Sequence, residues 1–153
     1  MPVLFALGFR PFFLLSSVLA VILVAVWVPV FAGWHSFGTY YGQIGWHSHE
    51  MIFGYTCAVI GGFLLTAVRN WTERPTATGV PLAFLVALWL VGRILPFFSE
   101  VVSGWLIAIA DLAFLPALTA AIGTPLARHG ERRNLVFLPL LIGLFAADLL
   151  VHL

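Results

Sequence analysis

Five long apolar runs dominate the chain, roughly over residues 11–33, 46–68, 80–98, 102–124 and 134–153. Each is close to the ~20 residues a helix needs to cross a hydrocarbon core about 30 Å thick at 1.5 Å per residue. The breaks between them carry Gly38 and Gly42, then Pro75 and Gly79, then Ser99 and Glu100, then Gly130, residue types that turn the chain or end helices. The ten-residue apolar/polar alternation of a membrane barrel is absent, and backbone groups in lipid must be satisfied within closed structures. The pattern predicts an all-α, polytopic transmembrane helix bundle of about five spans, forming a single domain over residues 1–153. The first run follows Arg10 as a secretory signal would. At roughly 23 residues it exceeds a signal core of about 7–15, so an uncleaved helix is expected.

Composition agrees. Of 153 residues, 62% are hydrophobic and 8% charged, against about 45–50% and 25% in an ordinary soluble domain. A water-soluble core of this size cannot hide so much apolar surface. The seven basic residues are all scattered arginines, which excludes a nucleic-acid face, and the net charge of +1 points to no acidic partner. Cys57 is the only cysteine, so an internal disulfide and a cysteine-only metal site are excluded. No phosphate loop or nucleophile elbow is present.

The arginines orient the bundle. Arg10 precedes the first span, Arg69 and Arg74 follow the second, and Arg128, Arg132 and Arg133 follow the fourth. Their loops alternate with arginine-free ones, which predicts an N-terminus inside and a C-terminus outside. Four histidines then fall on the outer side: His35 in the first outer loop, His47 and His49 at the head of the second span, and His152 at the end of the fifth. His129 stays inside among arginines. Imidazole binds haem iron, copper and zinc well. An interfacial belt with Trp34, Trp46 and Trp105 accounts for the same positions without a ligand.

Helical geometry constrains these candidates. Residues two apart point about 200° from each other, so His47 and His49 cannot reach one metal from a regular turn. The face below His47 runs through Glu50, Gly54, Ala58 and Gly61. Small residues there suit close helix packing, or a flat macrocycle lying over the stripe with His47 as axial ligand. Asp148 lies one turn before His152, where a carboxylate would orient the imidazole. Asp111 sits near mid-bilayer, at a cost of about 2.5–3.5 kcal/mol on insertion scales. Arg93 in the third span is the expected structural ion partner, with a proton or ligand path as the alternative. Glu100 is expected to be solvated.

Longer strings resemble the NnrS family. Gly8-Phe9-Arg10-Pro11-Phe12-Phe13 looks like its opening, and Trp46-His47-Ser48-His49-Glu50-Met51-Ile52-Phe53-Gly54 looks like its second-span motif. Gly62-Phe63-Leu64-Leu65-Thr66-Ala67-Val68 with Asn70-Trp71-Thr72, then Trp89, Gly92-Arg93, Asp111-Leu112-Ala113-Phe114 and Leu149-Leu150-Val151-His152 continue the likeness in order. The resemblance implies a haem- and copper-containing protein of the bacterial inner membrane, linked to denitrification and nitric oxide. Carried over by motif, the cofactor and metal ligands are His47, His49 and His152. His35 ranks below them, and Asp148, Glu50, Arg93 and Asp111 are supporting residues. The family usually has about twelve helices, so a truncated or short member is expected, with the bilayer around it and self-association or partner helices beside it. Whether it is an enzyme stays open. The competing readings are a cofactor-free assembly module and part of a proton-coupled transporter.

Overall fold

The computed structural model describes residues 3–153, and all the regular structure among them is helical. After a short 3-10 turn, Val3–Ala6, five helices are long and apolar enough to cross a membrane. They are α1 (Phe9–Phe31), α2 (Gly42–Thr72), α3 (Val80–Phe98), α4 (Gly104–His129) and α5 (Arg132–Val151). The expected third span matches α3 at both ends. The second differs most: α2 begins at Gly42, whose φ of +67° turns the chain into the helix, and it continues through Thr72. The polar residues read as ending the second and fourth runs instead form helical last turns. Arg69 in α2, and Arg128 and His129 in α4, meet the negative end of the helix dipole there.

α2 is the central element, packed against α1 and α4. Its core face carries Phe53, Cys57, Ala58, Leu64, Leu65 and Val68, which meet Phe12 of α1, Trp89 of α3 and Phe114 and Leu118 of α4. The small-residue stripe is filled by these neighbours. A Cβ on Gly61 would lie 3.2 Å from Phe114, and one on Gly62 would lie 3.0 Å from Phe12. Close packing therefore occupies the face, and the macrocycle considered for it has no floor to lie on. α1 and α5 present Val21, Val24, Leu140 and Leu150 outward, which matches a lipid surround rather than water.

The helices leave regular geometry in several places near one end of the bundle. In α2 the residues Glu50–Thr56 form a π-helical stretch, stabilised by Thr56 Oγ1 donating to Met51 O at 2.8 Å. In α3 the α-helix tightens to 3-10 over Leu95–Phe98, a stretch that contains Pro96. In α4 the helix is interrupted at Ala113. Pro116 lies three residues on and has no N–H to offer Leu112 O. π-turns and breaks of this sort frequently mark functional sites. Trp89 Nε1 donates to Gly54 O at 2.9 Å, pinning α3 to the widened turn of α2. Replacing Trp89 by Phe keeps an aromatic ring but removes that donor, with an expected loss of about 1–3 kcal/mol in detergent denaturation. A variant as stable as the parent would show that the wide turn stands without it.

Candidate metal centre

Each irregularity lies beside polar side chains that meet in the same place. His49 is the last α-helical residue before the π stretch, and Glu50 is the first residue within it. Arg93 comes just before the 3-10 end of α3, and Asp111 just before the break in α4. Asp148 lies in the last turn of α5 and His152 at its C-cap. His49, Glu50, Asp111 and Asp148 are all at most 3% exposed.

The four groups His49, Asp111, Asp148 and His152 each offer a ligand atom, and those atoms lie within 4.8 Å of one another. His49 Nε2 is 2.9 Å from Asp111 Oδ2 and 3.1 Å from Asp148 Oδ1. His152 Nε2 is 3.2 Å from Asp111 Oδ2. Donor atoms held at 2.0–2.2 Å by one tetrahedral ion are about 3.3 Å apart. The cluster is thus a group of donors that could hold a metal ion. A macrocycle would have to part the four groups.

Around this set lies a second layer. The expected pair of Arg93 and Asp111 forms, through Nη2 and Oδ1, and Arg93 Nη1 also donates to Glu50 Oε2 at 3.3 Å. With Oδ1 held by Arg93, Asp111 turns a single oxygen, Oδ2, toward the histidines. Glycines permit this approach. A Cβ on Gly92 would fall 2.8 Å from Asp111 Oδ1, and one on Gly54 only 3.0 Å from Arg93. Glu50 Oε1 is 3.6 Å from His49 Nδ1, too far for a hydrogen bond, and both atoms lack a partner, as does His152 Nδ1. Metal-ligating imidazoles typically give their second N–H to such a carboxylate.

Tyr41, just ahead of α2, was not legible as part of the site. Its hydroxyl donates to Asp111 Oδ2 at 2.8 Å and lies 3.4 Å from His152 Nε2. Its ring stacks on His49 at 4.2 Å with an interplanar angle of 17°. Burial pushes the phenol well above its ordinary range, partly countered by Arg93, so the donating O–H is kept. Only the fold brings Tyr41 to an aspartate 70 positions away; a tyrosine in a loop between spans carries no motif of its own.

The sequence-predicted ligands separate. His49 and His152 meet, while His47, half-buried, stacks on Trp27 of α1 at 4.2 Å. His35 is exposed, as are His129 and Glu100. The parting of His47 from His49 follows from the regular turn containing both. One expected contact is corrected. Asp148 bonds His49 rather than its own helix neighbour, and His152 bonds Asp111. His152 is the C-cap of α5, and its N–H bonds Leu149 O, three residues back, where a regular α-helix would use Asp148 O.

Removing Arg93 tests how the layer is held. Arg93→Met leaves Asp111 and Glu50 buried without their counter-charge and is expected to cost about 3–5 kcal/mol. Adding Asp111→Asn should recover a large part of that loss, measured by denaturation in detergent. Equal instability of the single and double variants would contradict the charge coupling.

The chain matches the model of the family described as NnrS protein over residues 3–153. No curated protein and no solved structure matches it. The family match runs along all five helices and includes every residue of the buried cluster, so the chain belongs to the NnrS family.

Proposed function

We propose that this chain is a metal-binding protein of the bacterial inner membrane that serves the response to nitric oxide, with a copper-class ion held by His49, Asp111, Asp148 and His152 near the outer face. The observation that carries this reading is the convergence of two imidazoles and two carboxylates in a buried space. Charge supports it. Arg93 bonds Glu50 and Asp111 while Asp148 faces His49, so three buried carboxylates stand against a single buried guanidinium. Unpaired charge at that depth is expensive, and one divalent cation cancels it.

Of the two cofactors that the resemblance implies, copper fits these donors, since imidazole with carboxylate suits copper(II). Haem does not fit here, because the ligand atoms converge on a point and the small-residue stripe of α2 is covered. Copper, when bound, would supply one-electron chemistry toward nitric oxide. The chain's own residues hold and orient. Arg93 takes Asp111 Oδ1 and leaves Oδ2 facing the histidines, and Glu50 stands behind His49.

The test is metal content and optical absorption of the purified chain in detergent. About one copper per chain is expected, without a Soret band, and His49→Ala or Asp148→Asn should weaken copper binding at least tenfold. A folded wild-type protein that takes up neither copper nor zinc would end this reading. The second reading is a proton path, favoured by the fact that the cluster is internally hydrogen-bonded as it stands. Proton flux in liposomes that is lost in Asp111→Asn, from a protein that binds no metal, would select it.

A further inference from the structure

Among the described residues, Tyr41 is the one aromatic residue that both bonds a carboxylate of the cluster and covers one of its imidazoles. Its hydroxyl reaches Asp111 Oδ2, the same oxygen that faces His49 and His152. Its ring lies flat on His49. The side chains beneath it are almost wholly buried, at 1% for His49, 0% for Asp111 and 2% for His152, whereas Tyr41 itself keeps some exposure. It is therefore the layer between the cluster and the end of the bundle.

The segment carrying it is fastened at that end. Tyr40 N donates to Pro96 O at 2.9 Å, tying the segment to α3. The ring of Tyr40 packs on the start of α4, where a Cβ on Gly104 would lie 3.1 Å away. Tyr40 also meets Tyr41 edge-on at 4.9 Å and lies 5.6 Å from His152. Two tyrosine rings thus roof the donors, held by α3 and α4 rather than by α2 alone. The inner ring offers a hydroxyl and the outer one mainly a wall.

We infer that Tyr41 governs the ion site in two separable ways: its hydroxyl sets affinity by fixing Asp111 Oδ2 as a ligand, and its ring sets the rate at which an ion enters and leaves. The inference rests on the metal-binding reading. The first role follows from hydrogen bonding. Asp111 Oδ1 belongs to Arg93, so the only oxygen left for an ion is the one that Tyr41 orients. Partners that orient a ligand typically account for 10–100-fold in metal affinity. The second role follows from cover. An ion approaching from that end must pass the ring stacked on His49. Tyr41 is a positioning residue, and no bond to the ion is assigned to it.

The experiment uses the full chain in detergent micelles, with copper(II) and zinc(II) salts as probes and a chelator for release. Tyr41→Phe keeps the ring and drops the hydroxyl. Its expected result is a roughly tenfold loss of affinity, carried by faster release, with the loading rate within about twofold of wild type. The copper(II) visible band should shift, because the donor strength of Asp111 changes; a merely structural loss elsewhere would not move it. Tyr41→Ala removes both features and should speed loading as well as release. Tyr41→Leu, which keeps bulk, serves the same comparison should the alanine variant fold poorly. Unchanged affinity and spectrum in Tyr41→Phe would overturn the hydroxyl's role. Loading no faster in the alanine or leucine variant than in Tyr41→Phe would overturn the ring's role. A wild type that binds neither probe removes the metal site itself, and this inference with it.

Discussion

An ionised carboxylate buried between membrane-spanning helices has no water to stabilise it, so it needs its counter-charge from the protein. Asp111 finds it in Arg93, and Arg93 in turn reaches Glu50. That bridge ties α4, α3 and α2 at one level. It demands that the three backbones approach closely, which Gly92 and Gly54 allow by leaving the guanidinium and carboxylate room that a methyl group would take. The apolar packing of Phe12, Phe114, Leu118 and Leu65 further along the bundle is consistent with this arrangement but does not specify it. Lipid is as apolar as those side chains, so burying them against one another adds little preference for one register over another. The ion pair supplies that preference.

The second consequence is geometric. A straight α-helix sends successive polar residues to different sides, and only a few can face one point. Here α2 widens after His49, α3 tightens after Arg93, and α4 breaks after Asp111. Each change turns the backbone where a polar side chain leaves it. Trp89, bonded to Gly54 O, connects two of these irregular regions directly. The departures from ideal helix and the chemistry of the site therefore belong to one arrangement. A cluster of three buried carboxylates around one guanidinium and two imidazoles is the outcome, and such groups are costly to bury unless each is paired.

Parts of this site are legible along the chain. Arg93, Asp111 and Asp148 stand out because charged residues are rare inside apolar runs, and the pairing of Arg93 with Asp111 follows from the short hairpin between their spans. The divergence of His47 from His49 follows from a helical turn, and the structure sends them to Trp27 and to the cluster respectively. Other parts are silent. Asp148 is one turn from His152, which suggests a local contact, yet it bonds His49 across the bundle. Tyr41 has no motif, no charge and no place inside a span, and it still touches three members of the site.

The amino-acid sequence by itself determined the five membrane-crossing helices and which residues are too costly to face lipid. Both are local properties: hydropathy and span length are summed over neighbours in the chain, and the desolvation of a charged side chain belongs to that side chain before any partner offsets it. Tertiary structure alone decided which carboxylate meets which imidazole, where the helices widen or break, and that Tyr41 roofs the cluster. Those outcomes depend on the rotation and approach of separate helices. A turn of one helix by a single residue swings a side chain by about 100°, and no pattern within one span records that angle.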